Sequence, residues 1–357
     1  MDIKSISASR IKTYEHCKFK YIINYMLYEC LDCDETFYTP EMSEQACPYC
    51  KSKKFQRPEL STNWGAVHGT ALHFIMENYA TAIRGIHEDG KVVTDEEKTT
   101  FLDWETAVAN IYKRGTANGQ NSEDFAIYDI AKPKDVERKS SWCNTCSVDS
   151  DKPCEITGET LKTMNNHGCK GCPKELYNKS MTVMKKYIQR YDKLLRSRKI
   201  LGIEKAFNLN FGKDVNGKDI ISTGFIDLVT ELDSDTIEII DHKFGSWVPS
   251  FEEFSDDIQV KLYALVAKEV FPEYKEYIIT FDYVSKNPLS IAFTPSENEE
   301  TKQDIVAKWN QIASPQNVTR TIIDGNGKDP TTSWKCKAMC DVKICCSEWP
   351  KFKEKFK

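Results

Sequence analysis

The sequence has no run of 18 apolar residues, the length a helix needs to cross a bilayer, so no membrane span is expected. Its opening, MDIKSISASRIK, has no apolar leader pattern, and the expected location is cytoplasmic. It also lacks an excess of basic charge. With 49 Lys and Arg against 54 Asp and Glu, the formal net charge is -5. That excludes a protein that coats nucleic acid by bulk charge, so any polyanion must be held in a local groove. Low-complexity segments are absent, and nothing repeats except pairs of cysteines. The 40% hydrophobic and 29% charged residues are a globular composition. At 357 residues, the chain suits one large domain with insertions or two ordinary domains.

What is abundant is cysteine, with 14 in the chain. In a reducing compartment disulfides are not expected, and many of these cysteines fall in C-x2-C pairs, the spacing of metal ligands. Buried inert thiols account for lone cysteines but not for paired ones. Cys30, Cys33, Cys47 and Cys50 have the two-knuckle spacing of a zinc ribbon. Cys143, Cys146, Cys169 and Cys172 offer a second such site, with Cys154 and His167 as alternative ligands. Four thiolates leave no open position, so both sites would be structural.

Periodicity gives the layout. A helix is expected from SASRIKTYEHC onward, capped by Ser7 or Ser9, with Ile11, Tyr14, Phe19, Ile22 and Ile23 at helical spacing. After the cysteine-bearing excursion, STNWGAVHGTALHFIMENYATAI predicts a helix with an apolar face of Trp64, Val67, Ala71, Phe74 and Ile75. A further helix is expected over 96–113, and the basic helix KELYNKSMTVMKKYIQRYDKLLRSRK follows the second cysteine-rich stretch. Segments 201–212, 219–232 and 236–243 alternate and are β-branched, which predicts strands. A helix over 256–270, strands near 276–285 and 289–294, and a helix over 296–312 complete the pattern. The expected fold class is α/β with two cysteine-rich insertions. The expected divisions are 1–29 helical, 30–55 zinc ribbon, 56–139 helical, 140–173 second cysteine-rich insertion, 174–313 core and 314–357 cysteine-bearing end.

Two strands carry misplaced charges. In STGFIDLVTEL, period-two alternation puts Asp227 on the face of Phe225 and Val229. In TIEIIDHKFG, Asp241 shares a face with Ile237, Ile239 and Lys243. Burying a bare carboxylate costs several kcal/mol, roughly, unless a partner or a cation compensates. Two acids and a lysine converging this way suit a hard divalent cation such as Mg2+ or Mn2+, with the lysine beside a metal-bound water. A buried Asp–Lys salt bridge is the simpler account of D-x-K taken alone.

The wider context goes beyond that account. GFID, then IIDHKFG, then Gln259 and Tyr263 in DIQVKLYAL, resemble the PD-(D/E)XK nuclease superfamily in its RecB-like branch. The opening S-x-S-x-I-x-x-Y-x-x-C from Ser7 to Cys17, and HGTALH from His68 to His73, match the N-terminal half of that pattern. CRISPR-associated RecB-like exonucleases and AddB-type nuclease domains are similar. The resemblance implies a restriction-endonuclease-like core with a central mixed sheet flanked by helices. It implies a metal held by His73, Asp227, Asp241 and the backbone carbonyl of His242. Lys243 would be the catalytic lysine, with Gln259 and Tyr263 supporting it or touching the DNA backbone. It also implies a [4Fe–4S] clasp on Cys17, Cys336, Cys340 and Cys346. Here the C-terminal spacing is C-x3-C-x5-C rather than C-x2-C-x5-C, and Cys345 stands beside Cys346 as an alternative ligand, which leaves a third zinc site open. Among the residues themselves, His73 lies opposite the apolar helix face, near the small Ala66, Gly69 and Ala80. Glu204 opens the first strand of this sheet, either supporting the metal ligands or serving only the fold.

For nucleic acid, the helix around 185–199 interleaves Lys185, Lys186, Arg190, Lys193, Arg196, Arg198 and Lys199 with Tyr187 and Tyr191. Arg190 and Lys193 are expected to contact phosphates while the tyrosines stack on unpaired bases; a plain solvated face is the alternative. Trp247, just past the lysine motif, is a candidate stacking residue. The resulting expectation is a Mg2+- or Mn2+-dependent DNA nuclease acting on single strands or ends, in recombination, repair, replication or CRISPR adaptation. The alternatives are a non-catalytic DNA-binding adaptor of a helicase–nuclease or recombination assembly, and an RNA-processing nuclease.

Overall fold

The computed structural model describes residues 5–17, 20–21, 24–25, 27–38, 46–47, 49–56, 64–112, 173–214, 217–245, 247–294 and 298–313. In chain order come strand β1 (Ser5–Ile6), helix α1 (Ala8–His16) and strands β2 (Leu27–Cys30), β3 (Thr36–Tyr38) and β4 (Phe55–Gln56). Helices α2 (Trp64–Arg84), α3 (Asp95–Leu102), α4 (Trp104–Ile111) and α5 (Pro173–Ser197) follow. Then come strands β5 (Ile200–Lys213), β6 (Asp219–Glu231) and β7 (Thr236–Lys243), and helices α6 (Phe251–Ser255) and α7 (Ile258–Val270). Strands β8 (Glu276–Tyr283) and β9 (Leu289–Phe293) and helix α8 (Asn298–Ala313) finish the series.

A six-stranded mixed sheet organises the chain, in the order β1-β6-β7-β8-β9 with β5 also on β6. Strand β6 takes β5 antiparallel along one edge. On its other edge it takes β1 in parallel at Ile221 and Ser222, then β7 antiparallel from Leu228 to Glu231. Strands β7 and β8 run parallel, so β8 must be reached by a crossover, which α6 and α7 supply. The sheet is buried on both faces: Val229, Ile237 and Ile239 enter one hydrophobic cluster with α7, while Leu228 and Ile240 enter another with α2 and α5. That explains the nearly continuous apolar reading of these strands.

The helices start where their caps place them. Ser7 accepts from the Arg10 N–H at 3.3 Å and starts α1. Asp257 accepts from the Gln259 N–H at 2.7 Å and starts α7, whose residues are buried nearly all round. The single helix expected over 96–113 is two. Asp103 leaves the helical region at φ -82, ψ 64 and caps α4 through the Thr106 N–H. On α2, Ala71 and Ile75 are buried as expected, but Phe74 is 44% exposed, because the helix turns Leu72, Met76 and Tyr79 inward instead. The side chains of Trp64 and Val67, and all of 140–172 and 314–357, lie outside the described residues. Among the described residues, no helix is long and apolar enough to cross a membrane.

Candidate active site

Register brings three acids into one row. Strands β5 and β6 pair Ile203 with Leu228 and Lys205 with Ile226, which sets Glu204 opposite Asp227. Strands β6 and β7 pair Leu228 with Ile240, and one step further Asp227 faces Asp241. There the ladder stops, and the Asp227 carboxylate takes the N–H of His242 at 2.7 Å in place of a strand partner. Side chains opposite one another on antiparallel strands share a face, so the carboxylates converge. Burial raises the Asp227 carboxyl well above its ordinary range, reinforced by the nearby charges of Asp241 and Glu204. Glu204 is pushed up to about 7 by burial, then by Glu77 and Asp241.

Asp241 is held from the other side. The Lys243 ammonium meets its Oδ2, while Gln259 Nε2 and the Tyr263 hydroxyl both reach its Oδ1 at 2.9 Å. Gln259 Oε1 accepts from Lys243 Nζ at 3.0 Å, so one amide bridges the acid and the amine. The i,i+4 spacing of Gln259 and Tyr263 on α7 puts them 3.0 Å apart, as joint support requires. Tyr263 is only 5% exposed and meets Asp241 from within the fold. Burial, then Asp241, keeps its hydroxyl protonated.

His73 arrives on α2. Its Nδ1 is 3.5 Å from Asp227 Oδ2 and 3.9 Å from Glu204 Oε1. Burial, then His242, lowers its pKa to about 4, so near neutral pH the ring is uncharged and offers a lone pair. The edge of Phe244, the residue after Lys243, packs on this ring at 4.9 Å and 84°. Phe244 also lies 3.6 Å from where a Cβ on Gly69 would stand, so the small residue at Gly69 faces a bulky neighbour, in keeping with the sequence pattern. His73, Glu204 and Asp227 offer ligand atoms all within 4.8 Å of one another. A neutral imidazole plus clustered carboxylates, their ionisation opposed by burial, is a donor set that fits a hard divalent cation.

Glu204 is the site residue whose role alternation leaves undecided. Its φ of 48 is left-handed, and a register shift precedes it between Ile200 and Gly202. A non-glycine residue held this way costs roughly 1–3 kcal/mol and tends to occur at functional sites. Two further groups carry no signal in the sequence pattern. Lys12 on α1 pairs with Asp257 at 2.7 Å and reaches Gln259 Oε1 at 3.4 Å. Asp282, with no exposed surface, lies beside His242 Nδ1 at 3.3 Å and is closed by Arg190.

That last contact shows where the basic side chains of α5 are engaged within the fold. Arg190 is drawn onto the buried Asp282 and the Lys286 carbonyl. Arg196, Arg198 and Lys199 likewise pair with Asp192, Glu238 and Glu231. Tyr187 and Tyr191 are 1% and 3% exposed and stand edge-on to His242 at 5.2 Å, so they are core residues and not stacking platforms. Lys193 remains exposed, and Trp247 is 63% exposed.

Away from the central sheet, Cys30, Cys33, Cys47 and Cys50 come together in a cluster that could hold a metal ion, Cys30 ending strand β2 of a small sheet of order β3-β2-β4. The Asp34 and Lys51 N–H groups return to the Cys30 and Cys47 carbonyls, with φ of 56 and 64. Each C-x2-C pair therefore makes a tight knuckle. Cys17 is buried just past α1, while Cys143, Cys146, Cys169, Cys172, Cys336, Cys340 and Cys346 lie outside the described residues.

Residues 173–347 match the family model of the PD-(D/E)XK nuclease superfamily. The match supports a nuclease, a hydrolase of phosphodiester bonds, and spans Asp227, Asp241, Lys243, Gln259 and Tyr263. A solved structure titled "Crystal structure of SSO0001" is 14% identical, covers 49% of this chain and 74% of that one, and superposes with a TM-score of 0.31, too low to carry an argument. No curated protein matches the chain.

Proposed function

We propose that this chain is a metal-dependent deoxyribonuclease of the RecB-like branch, acting on single-stranded DNA or DNA ends in recombination, repair, replication or CRISPR adaptation. One observation carries the reading: Asp227, Asp241, Lys243 and a neutral His73 meet where β6 and β7 part. Mg2+ or Mn2+ would be held by His73, Asp227, Asp241 and the His242 carbonyl, with Glu204 added by its place in the same cluster. When bound, such an ion supplies Lewis acidity toward a phosphoryl oxygen and an acidified water.

The chain's own groups do the rest. Lys243 is held by Asp241 and Gln259 but keeps 28% of its side chain exposed, so its ammonium can meet the charge that develops on a phosphate oxygen. Gln259 and Tyr263 fix the rotamer of Asp241, leaving little reorganisation for the moment of reaction. His73 stays neutral and keeps its lone pair. Lys193 and Trp247 are proposed DNA contacts. Structural Zn2+ is proposed at Cys30, Cys33, Cys47 and Cys50, and a second at Cys143, Cys146, Cys169 and Cys172. A [4Fe–4S] clasp is proposed on Cys17, Cys336, Cys340 and Cys346.

The test is digestion of end-labelled single-stranded DNA, duplex DNA and RNA with Mg2+ or Mn2+. Asp241→Ala and Lys243→Ala are each expected to slow cutting about 100- to 1,000-fold, the usual loss when a charge-stabilising group is removed. Undiminished cutting by both variants overturns the site. DNA binding without cutting under every metal makes the chain an adaptor, and preferential cutting of RNA makes it an RNA-processing enzyme.

A further inference from the structure

Helix α1 delivers a second ammonium group to the lysine of the D-x-K motif. Lys12 Nζ and Lys243 Nζ both donate to one oxygen, Gln259 Oε1, at 3.4 and 3.0 Å. Two hydrogen-bond lengths therefore bound the distance between the two cations. Both also lie over the ring of Phe281, at 6.0 and 4.5 Å from its centroid. Each remains open to solvent, with 39% of the Lys12 side chain and 28% of the Lys243 side chain exposed. Lys12 therefore adds a second, partly exposed cation beside the Lys243–Asp241 pair.

The placement brings two like charges close, each also paired with an acid. Burial lowers the Lys12 pKa, Asp257 opposes that, and the Lys243 charge adds a smaller lowering. A lysine that only fastened α1 to α7 could reach Asp257 from many positions without standing beside another ammonium. Asp257 is itself committed to two tasks, capping α7 through the Gln259 N–H and holding Lys12 at 2.7 Å. That contact fixes the direction of the Lys12 side chain toward Gln259. Two neighbouring cations, both partly exposed and sharing one amide oxygen, are suited to an anion that spans both. A phosphodiester, with two non-bridging oxygens and one charge, is such an anion.

We propose that Lys12 is a substrate-binding residue that grips a backbone phosphate of the DNA beside Lys243, so that the two ammonium groups clamp the strand next to the acid cluster. This rests on the nuclease reading and names a contact that the D-x-K pattern does not contain. Lys12 binds and positions; the bond-breaking groups remain those described above.

The test compares wild type with Lys12→Met, which keeps the aliphatic stem, Lys12→Gln, and Lys12→Arg, which keeps the charge. Steady-state cutting of an end-labelled single strand with Mn2+ is measured alongside binding of the same oligonucleotide by fluorescence anisotropy at stepped salt. Expected for Lys12→Met and Lys12→Gln is a KM raised about 10-fold or more with kcat within about threefold, and a salt slope reduced by about one, the signature of one lost phosphate contact. Lys12→Arg should recover most of the KM. A Lys12→Met or Lys12→Gln protein with wild-type melting temperature, KM and salt slope overturns the proposal and leaves Lys12 as a fastener. If wild type shows a Lys12-dependent salt slope but cuts nothing, the clamp stands and the hydrolytic reading falls. If wild type neither binds nor cuts, both fall.

Discussion

The ring of Phe207 lies over Gly224 on the neighbouring strand, so close that a Cβ at Gly224 would meet its Cζ at 2.6 Å. This gives the glycine of the GFID motif a steric reason. Phe207 belongs to the core and fills the space a side chain would take, three residues before Asp227.

Gly224→Ala is therefore expected to destabilise the protein by about 1–3 kcal/mol, the usual cost of overpacking. Thermal or denaturant unfolding reads the loss. Adding Phe207→Leu should restore part of it, since the smaller side chain vacates the space. An alanine variant as stable as wild type would show that the ring swings away freely.

Asp282 has no exposed surface and holds Arg190 on one side and His242 on the other. Removing it leaves the partly exposed Arg190 and the buried His242 without their partner, so Asp282→Ala should cost about 1–3 kcal/mol. The double variant Arg190→Met with Asp282→Leu should cost much less, because neither charge remains. Equal losses for the single and double changes would contradict this account.

The metal-free site makes stability depend on pH in an unusual direction for carboxylates. Burial, then Glu77 and Asp241, raises Glu204 to about 7, and Asp227 is raised by burial and neighbouring charge. A folded pKa above the unfolded value means the native state binds more protons between the two. Stability from Glu204 is then fully present below its ordinary pKa near 4.5 and disappears as pH rises through about 7. The contribution is at most about 3 kcal/mol, by the equivalence of pKa shift and free energy. The melting temperature with chelator should fall from pH 5 to 8, and Mn2+ should raise it most at the upper end. A Mn2+ effect that is the same at both ends would count against the acid cluster as the binding place.

If the proposed zinc is held at the ribbon, Cys30→Ser and Cys47→Ser should each remove about one equivalent of it, measured by elemental analysis, since both thiols lie in the same four-cysteine cluster. The same variants should retain Asp241- and Lys243-dependent cutting, because the ribbon and the acid row are built on different sheets. Zinc content unchanged in both variants would remove the metal from the ribbon.

Much of the central sheet is legible from pattern alone. Strands expected at 201–212, 219–232 and 236–243 appear at Ile200–Lys213, Asp219–Glu231 and Thr236–Lys243, because β-branched alternation bounded by Gly, Asn and Asp leaves few other options. The convergence of Asp227, Asp241 and Lys243 is legible for the same reason. Glu204 is not, since alternation assumes regular backbone and this residue has a positive φ. Lys12 is hidden because a helix shows which residues share its face but not which distant helix that face meets. For Tyr187 and Tyr191 the sequence does hold a signal against stacking: Met184, Tyr187, Tyr191 and Leu195 form a buried stripe at helical spacing. The basic residues between them point toward phosphate, while the acids that claim Arg198 and Arg190 lie 40 and 92 positions away on β7 and β8.

The parts of this site come from far-separated stretches of chain. Lys12 stands on α1 and His73 on α2, both upstream of the segment at 173–347 that matches the nuclease family. Excising that segment would discard both groups, expose Ile221 and Ser222 along the edge that β1 covers, and bare the apolar side of α5 that α2 shields. The segment that homology outlines is therefore smaller than the candidate site: a protein trimmed to it would keep the acids, with Lys243, Gln259 and Tyr263 around Asp241, but would lose His73 beside Asp227 and Lys12 beside Gln259.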